Sequence, residues 1–304
     1  MQVILDSTFH TLEEFMQEVD RWDIDFRLLG RGGFLGRVKQ LVSRDVLIGY
    51  ARLQRSLDQA GATPPGYRTF VILAEGCRGF WWRGHQVTSN DLLVFPPSNE
   101  LRSASGEDFG VFTVSVRTAY LDQLDENLGL RGFADRKQEV VPLNFRASLD
   151  LRSTAGMIVK SGCGPVAVAA AQRLAEKLAV YTANDTSGYR TNLRKRDQAV
   201  DRIIEYVHSV PVPASSLDTL CRIAKTSERT LQYAFKERYG ISPNAYIKRW
   251  KLNTARRCLL QSNSSDVTVQ DIAMSLGFFH LGQFSAEYKD LFAELPSTTL
   301  NSNN

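Results

Sequence analysis

Two short stretches in the C-terminal third of this sequence carry side chains that suit contacts with the edges of DNA bases. In the first, arginine can fork onto guanine, glutamine can bond the edge of adenine, and lysine suits phosphate. The alternative is an ordinary solvated helix face. The side chains predicted to project from this first stretch toward DNA are Arg229, Thr230, Gln232, Tyr233 and Lys236.

The second stretch begins near His280 and carries less charge than the first. We therefore expect it to contribute less affinity, with Gly282 allowing it to read the shape of the groove. The residues predicted to remain near the groove side are His280, Gly282, Gln283, Ser285 and Glu287.

Each stretch follows a shorter amphipathic segment and a tight turn, in the strings SSLDTLCRIAKTSERTLQYAF (215–235) and TVQDIAMSLGFFHLGQFSAEY (268–288). This order is typical of a helix-turn-helix, whose second helix can enter a major groove. Hydroxyl side chains suit the N-caps and glycines suit the left-handed ends. The predicted caps are Ser215, Ser227 and Thr268, and the predicted end and turn are at Gly240 and Gly277.

One long helix is predicted to join the two units, from Ser242-Pro243 to about Leu260. Its length of roughly 27 Å is near the roughly 34 Å between successive major-groove faces, so it can hold two reading helices on one side of a duplex. Its predicted inward line is Ile247, Trp250, Thr254 and Cys258, and its basic residues are Lys248, Arg249, Lys251, Arg256 and Arg257.

Charge is unevenly placed along the 304 residues, whose formal net charge is +4. Residues 186–260 hold 15 Lys and Arg against 6 Asp and Glu, a local charge of +9, so the remainder carries about −5. A basic segment beside an acidic remainder fits a nucleic-acid-binding part joined to a part with another task.

The N-terminal half has a different pattern. Residues 67–117 contain short aromatic and branched runs separated by Gly, Pro, Asn and Ser, which predicts a barrel or jelly-roll sandwich. Helices are predicted at 11–19, 120–128, 149–159 and 164–181, and a strand turn at Gly30–Gly36. The last helix has an apolar stripe that fits either packing on the barrel or a dimer face.

No run of 18 apolar residues predicts a membrane span, and the N-terminal residues do not resemble a secretion signal. The four cysteines show no pairing pattern, so reduced thiols and a cytoplasmic location are expected. We predict an effector-sensing and dimerisation domain at 1–181, a linker at 182–196 and a DNA-binding domain at 197–300.

Residues 197–300 resemble the DNA-binding domain of the AraC/XylS family of bacterial regulators, through SERTLQYAFKERYGISPNAYIKRWKLNTARRCLL and VTVQDIAMSLGFFHLGQFSAEYKDLFAELPSTTL. The second string is similar to the XylS-like branch. The resemblance implies base contacts by Arg229, Gln232 and Tyr233 in the first unit. In the second it implies contacts by Leu281, Gly282, Gln283, Ser285 and Ala286.

This sequence departs from the family pattern at three positions. Tyr233 and Ala286 stand where basic residues are frequent in the family. Lys251 stands where arginine is common, and lysine lacks the forked geometry of the guanidinium group. The resemblance also implies an N-terminal barrel that senses a small molecule or dimerises. The expected fold class is therefore α+β, with a cupin-like β-barrel plus helices followed by an all-α domain with two helix-turn-helix units.

Two places are candidates for binding an effector. Trp81, Trp82 and Arg83 line a pocket or, alternatively, fill the core. In the linker, Arg190 and Arg194 follow a DxSxG-like turn and resemble, in reversed order, the cyclic-di-GMP elements of PilZ domains. Two arginines four residues apart can clamp phosphates. A basic linker close to DNA accounts for the same residues.

The sequence favours a DNA-binding transcriptional regulator, an activator, that binds promoter DNA as a homodimer, contacts RNA polymerase and responds to a small-molecule effector. No cofactor and no metal site are expected, since only His85 lies among the strands. One alternative is a cupin-type enzyme with an accessory helical domain, although no catalytic constellation stands out. Another alternative is a nonspecific DNA-binding protein.

Overall fold

The computed structural model of the chain describes residues 1–19, 22–77, 79–95, 100–130, 139–184, 194–214, 216–263 and 267–302. The chain forms two compact units. Unit 1 comprises Met1–Phe26, Leu35–Gln54 and Gln59–Thr191. Unit 2 comprises Arg27–Phe34, Arg55–Asp58 and Asn192–Asn304.

The β structure occupies the first half of the chain, as expected, and begins earlier than the predicted stretch at 67. Aromatic and branched residues dominate the strands because such side chains fit a pleated, half-buried surface. The strands are β1 (Gln2–Phe9), β2 (Asp23–Leu28), β3 (Gly36–Val42), β4 (Val46–Leu53), β5 (Leu57–Ala62), β6 (Tyr67–Leu73), β7 (Phe80–Trp82), β8 (His85–Val87), β9 (Asp91–Val94), β10 (Glu100–Ser105), β11 (Phe109–Arg117) and β12 (Val140–Pro142).

These strands form two sheets, ordered β1-β3-β4-β11-β6-β9-β12 and β2-β5-β10-β7-β8. In the first sheet β11 is central and antiparallel to both neighbours, with Val114 opposite Ile48 and Phe70. The expected cupin-like β-barrel is not a closed barrel in the described structure, and the two sheets fit the alternative left open by the strand pattern, a sandwich. Among the described residues the terminal strands of each sheet do not pair with one another, so the strands remain two separate sheets.

Four helices accompany the sheets: α1 (Leu12–Glu18), α2 (Thr118–Leu128), α3 (Phe145–Ser161) and α4 (Pro165–Asn184). The Thr11 and Glu14 side chains form the reciprocal capping box expected at the start of α1. In α4, Ala171, Leu174 and Leu178 are fully buried in the hydrophobic cluster beside the seven-stranded sheet. The stripe on α4 is therefore core packing, and the dimer interpretation of that stripe is not needed to explain it.

The remaining helices belong to unit 2. They are α5 (Lys195–Ser209), α6 (Leu217–Ala224), α7 (Glu228–Tyr239), α8 (Pro243–Gln261), α9 (Val269–Ser275), α10 (Leu281–Phe292) and α11 (Pro296–Asn301). Both helix-turn-helix units, α6-α7 and α9-α10, are present with the expected order, and α8 joins them. In the described parts of the chain, no helix has the length and apolar character needed to cross a membrane.

Local sequence determines most of the helix ends in unit 2. The side chains of Ser227, Ser242 and Thr268 each accept a hydrogen bond from the backbone three residues later, as N-caps do. Gly240 ends α7 in the left-handed region, with φ of 72°. The predicted cap at Ser215 lies outside the described residues. In the structure Ser216 is the N-cap residue of α6, and its side chain makes no capping bond.

Unit 2 also contains two segments from the first 60 residues, which the sequence places with the N-terminal domain. The backbone of the first segment is paired with α8 through Asn253, whose amide oxygen accepts from Leu28 N at 2.9 Å and whose Nδ2 donates to Leu28 O at 3.0 Å. Tyr246 Oη donates to Asp58 Oδ2 at 2.5 Å. The turn predicted at Gly30–Gly36 does connect two strands, β2 and β3.

Candidate nucleic-acid interface

Helix α7 presents a polar face that is not covered by the rest of unit 2. Arg229, Gln232, Tyr233 and Lys236 are exposed and Thr230 is half-buried. The opposite side of the helix is buried, and consists of Leu231, Ala234, Phe235, Arg238 and Tyr239. The predicted division into a core seam and a projecting face is therefore what the structure has, while contact with DNA stays a prediction.

Neighbouring groups orient two side chains of this exposed face. Gln232 Nε2 donates to Glu228 Oε1 one turn earlier, at 3.0 Å. The Tyr233 ring is 59% exposed and has the guanidinium of Arg196 stacked 5.3 Å from its centroid. Arg196 also donates to Glu237 at 2.8 Å. A tyrosine stiffened by a cation in this way loses little side-chain entropy if it contacts a duplex.

Helix α10 has a comparable face. His280, Gly282, Gln283 and Ala286 are exposed, and Leu281 and Ser285 are half-buried. Its seam of Phe284, Tyr288 and Leu291 is buried as predicted. Gly282 leaves open space, since a Cβ at this position would meet no atom within 4 Å.

A chain of three polar side chains joins α10 to α8. Gln283 Nε2 donates to Glu287 Oε1 at 2.9 Å, and Lys248 Nζ donates to the same oxygen at 2.7 Å. Glu287 is thus neutralised by Lys248 instead of facing a groove as a free anion. This explains how an acidic residue is tolerated beside a surface proposed to meet phosphates.

An aromatic cluster fixes the first reading helix against α8. Phe235, Tyr239 and Tyr246 are all buried, with ring centroids 4.7 to 5.7 Å apart. Burial raises the pKa of the Tyr239 and Tyr246 hydroxyls, so both stay neutral donors near physiological pH. Packing of these buried rings therefore sets the angle between α7 and α8.

The expectation for α8 itself needs correction. Of its predicted inward line, Ile247 is buried, whereas Trp250, Thr254 and Cys258 are only half-buried. The helix is enclosed on more than one side, and its buried residues are Pro243, Tyr246, Ile247, Leu252, Asn253, Ala255, Arg256 and Leu259.

The basic surface predicted for α8 is also largely absent. Of its five basic residues only Lys248 is exposed, and Arg256 is 7% exposed. Arg256 is ion-paired with Glu294 and lies 4.8 Å from the centroid of the Phe292 ring. Burial lowers the pKa of the Lys251 ammonium and the Arg249 guanidinium. Most of the basic residues of α8 therefore do not form an exposed strip for phosphates.

Of the two linker arginines proposed to clamp an effector, Arg190 and Arg194, the structure describes Arg194. Arg190 lies outside the described residues. Arg194 precedes α5, and its guanidinium donates to Asp197 at 2.7 Å and lies 3.6 Å from Glu237. The hydrogen bond from Arg194 to Asp197 raises the pKa of Arg194. A phosphate ligand would therefore have to compete with two carboxylates for this side chain.

Three side chains near the reading helices are absent from the sequence-based prediction. Phe279, just before α10, is 75% exposed, and Lys289 is exposed on α10 itself. Arg196 belongs to α5 and reaches Tyr233 only through folding. Helical spacing from Ala286 would have identified Lys289, which lies one turn later. No local pattern identifies Phe279 or Arg196.

The aromatic residues proposed to line a pocket in unit 1 have separate roles. Trp81 and Trp82 are each 1% exposed, as core residues are. Trp82 also lines a cavity between the two sheets, whereas Trp81 and Arg83 do not. Arg83 is paired with Glu139 at 2.6 Å. Within the described ranges, no group of three or more His, Cys, Asp or Glu is placed to hold a metal ion.

Known proteins similar to this chain share its C-terminal part most clearly. A family model described as a helix-turn-helix domain matches residues 220–302. The XylDLEGF operon transcriptional activator of Pseudomonas putida is 29% identical over 245 residues, which cover 77% of this chain and 74% of that protein.

Two further similarities are confined to about a third of the chain. The XylDLEGF operon transcriptional activator 2 of Pseudomonas putida is 33% identical over 101 residues, 33% of this chain and 64% of that protein. The crystal structure of a probable AraC family transcriptional regulator from Rhodopseudomonas palustris CGA009 is 33% identical. It covers 35% of this chain and 97% of that one, with a TM-score of 0.33.

Proposed function

Since this chain belongs to the AraC/XylS family of DNA-binding transcriptional regulators, we propose that it is an activator whose unit 2 recognises promoter sequences. Helices α7 and α10 enter successive major grooves on one side of the duplex. Arg229, Gln232 and Tyr233 read bases from α7, and Gln283 and its neighbours read bases from α10. Lys236 contacts phosphate.

The observation that supports this proposal is the pair of exposed polar faces on α7 and α10, each backed by a buried apolar seam. The two helices are joined by the 19 residues of α8, about 28 Å of helix. That length suits two neighbouring grooves, roughly 34 Å apart, if α7 and α10 extend outward from its ends.

We propose that unit 1 makes the protein a homodimer. Helix α3 carries exposed apolar side chains at one-turn and two-turn intervals, Phe145 at 66%, Leu149 at 45% and Met157 at 61% exposure. Exposed apolar stripes of this kind are typical of self-association surfaces. Sedimentation equilibrium of the full chain tests this, with Leu149→Glu expected to favour the monomer.

Control by a small-molecule effector and contact with RNA polymerase complete the proposal. The activator names of the Pseudomonas putida relatives support the polymerase contact. The effector is proposed to bind in unit 1 or, as cyclic-di-GMP, at Arg190 and Arg194. Calorimetry with cyclic-di-GMP decides the second possibility, since no heat with the native chain, or unchanged binding by R190A and R194A, rules it out.

Genome-wide footprinting of the bound DNA tests the main proposal, followed by affinity measurements on a recovered promoter and on a shuffled version of it. A specific regulator binds the promoter roughly a thousandfold or more tightly than the shuffled duplex. Equal affinity for both would identify a nonspecific DNA-binding protein and overturn the proposal.

A further inference from the structure

A cavity of about 90 Å³ lies between the two sheets of unit 1. Aromatic side chains form much of its wall, including Phe15, Phe80, Trp82, Phe95 and Phe109. Phe80 and Phe109 are stacked 4.8 Å apart, and Trp82 meets Phe95 edge-on at 4.9 Å. The rings hold one another in place, so the cavity is a fixed feature of the core.

Gly49 contributes to this space. A Cβ at Gly49 would lie 2.6 Å from Oγ1 of Thr113, its cross-strand partner, and both residues line the cavity. Only glycine therefore allows the hydroxyl of Thr113 to lie over β4 at this point.

The described wall of the cavity carries no charge. None of its 21 described lining residues is Asp, Glu, Lys, Arg or His. Its polar side chains are neutral, and Gln40 and Gln59 are each 8% exposed. An anion placed here would lose its hydration without gaining a cationic partner, so the cavity disfavours anions.

Two buried polar side chains lie side by side on the wall. Trp82 and Ser103 are cross-strand partners in β7 and β10, so their side chains lie on the same face of the sheet. Trp82 is 1% exposed and Ser103 is 4% exposed. In the described structure neither Trp82 Nε1 nor Ser103 Oγ has a hydrogen-bond partner. Because both residues also line the cavity, both atoms are available to a partner that enters it.

We propose that this cavity binds a small uncharged effector, a short or branched carbon chain carrying a hydrogen-bond acceptor. Trp82 Nε1 and Ser103 Oγ donate to the acceptor, and the aromatic wall contacts the apolar part. The volume limits the ligand to at most about six non-hydrogen atoms, because it is smaller than the roughly 150 Å³ of an apolar cavity that takes up benzene, which has six. The regulatory role of this binding rests on the effector control proposed above, whereas the binding itself does not.

Titration calorimetry of the full chain with isobutyramide, 2-butanone and isobutyrate at neutral pH tests the proposal. Isobutyramide and isobutyrate have nearly the same shape, but isobutyrate is ionised. Saturable one-site binding of isobutyramide or 2-butanone is expected, with isobutyrate roughly tenfold weaker or more, because its charge must be desolvated. Absence of binding by both neutral probes, or binding of isobutyrate as tight as that of isobutyramide, overturns the proposal.

Two variants test the polar anchor. W82F and S103A each remove one hydrogen-bonding atom and are expected to weaken isobutyramide binding roughly three- to tenfold, the value of one neutral hydrogen bond. S103A should leave the melting temperature unchanged or raised, because it deletes a buried polar atom without a partner. W82F also shortens a buried ring and should lower the melting temperature about as much as W81F does. Unchanged isobutyramide binding by both W82F and S103A would overturn the assignment.

W81F is the matched control. Trp81 is equally buried and adjacent in β7, but alternation along the strand directs it away from the cavity, whose lining does not include it. Its binding of isobutyramide should stay within about twofold of the native value, since no contact to the ligand is lost. Equal losses of isobutyramide binding in W81F and W82F would contradict the proposal.

Because no DNA is present in these binding measurements, their failure leaves the promoter-binding proposal untouched. Failure of promoter binding likewise leaves the cavity proposal untouched.

Discussion

Arg238 of α7 donates through Nη1 to Oδ1 of Asp201 in α5 at 2.5 Å. Arg238 is 6% exposed, whereas the Asp201 side chain keeps 24% exposure. The pair ties the buried side of the first reading helix to α5, two helices earlier in the chain. A charged residue of the first reading helix is thus part of the core.

We expect R238M to lower the free energy of unfolding by about 2 kcal/mol. The loss is smaller than for a fully buried pair because the remaining carboxylate of Asp201 retains some water. Urea denaturation followed by circular dichroism measures it. The control is R229M on the exposed face of α7, which should change stability by less than about 0.5 kcal/mol. Equal stabilities of the two variants would contradict the structural role of Arg238.

Two of the three predicted base-reading side chains of α7, Arg229 and Gln232, should affect specificity more than stability. R229A and Q232A are each expected to reduce discrimination between promoter and shuffled DNA by about 1–3 kcal/mol, because each loses a base contact. Fluorescence anisotropy with both duplexes measures this. An equal loss of affinity on both duplexes would rule out base reading by these side chains.

Lys236, on the same helix, is predicted to contact phosphate and not bases. K236A should weaken binding to both duplexes alike and lower the slope of log affinity against log salt by about 1, because a phosphate contact releases counterions regardless of sequence. A salt series of the same anisotropy measurement tests it. An unchanged slope would exclude Lys236 from the phosphate contacts.

The capping box of α9 gives a pH dependence with a defined sign. Asp271 accepts from the Thr268 hydroxyl at 2.5 Å and from its backbone N–H at 3.0 Å, and these bonds lower the pKa of Asp271 below its ordinary value of 3.8. Because the pKa of Asp271 is lower in the folded state than in the unfolded state, its capping bonds stabilise the protein at pH values above the unfolded-state pKa. That stabilisation is lost as the pH falls through the folded-state pKa.

D271A should therefore be less stable than the native chain near neutral pH, and the difference should shrink as pH falls below about 3.8. Urea midpoints between about pH 6 and about pH 3 measure this. D218A is the control, because Asp218 on α6 pairs with Arg222 at the surface and its helix lacks a side-chain cap bond. A stability difference in D271A that is the same at every pH would argue against the capping role.

Asn253 should matter for stability although it resembles an ordinary polar helix residue. N253L leaves the buried N–H and C=O of Leu28 without the amide that pairs with them, so we expect a loss of about 2 kcal/mol. T254A is the neighbouring control, since the Thr254 hydroxyl bonds within its own helix, to Trp250 O at 3.0 Å. Matching denaturation midpoints for the two variants would be inconsistent with the pairing.

Local chemistry makes several parts of unit 2 predictable from the sequence. The caps at Ser227 and Thr268 and the left-handed glycine Gly240 depend on a few neighbouring residues, so the helix limits follow from short-range hydrogen bonds. The buried seams of α7 and α10 follow from the helical repeat.

Long-range pairing decides the parts that local patterns do not predict. The sequence places Arg256 on a basic surface, because its partner Glu294 is 38 residues away and its burial depends on how α8 meets the helices after it. The expected barrel is two sheets in the structure, because strand patterns specify pairing faces but not whether the edge strands meet.

The sequence by itself determined the family, the two helix-turn-helix units and most of the residues that project from them, because capping, turn chemistry and helical periodicity act over a few residues. Only the tertiary structure decided which cations are free and which are buried. It also decided that Trp82 and Ser103 become neighbours on one cavity wall. Such pairings depend on strand register and on packing between distant segments, which no local pattern encodes.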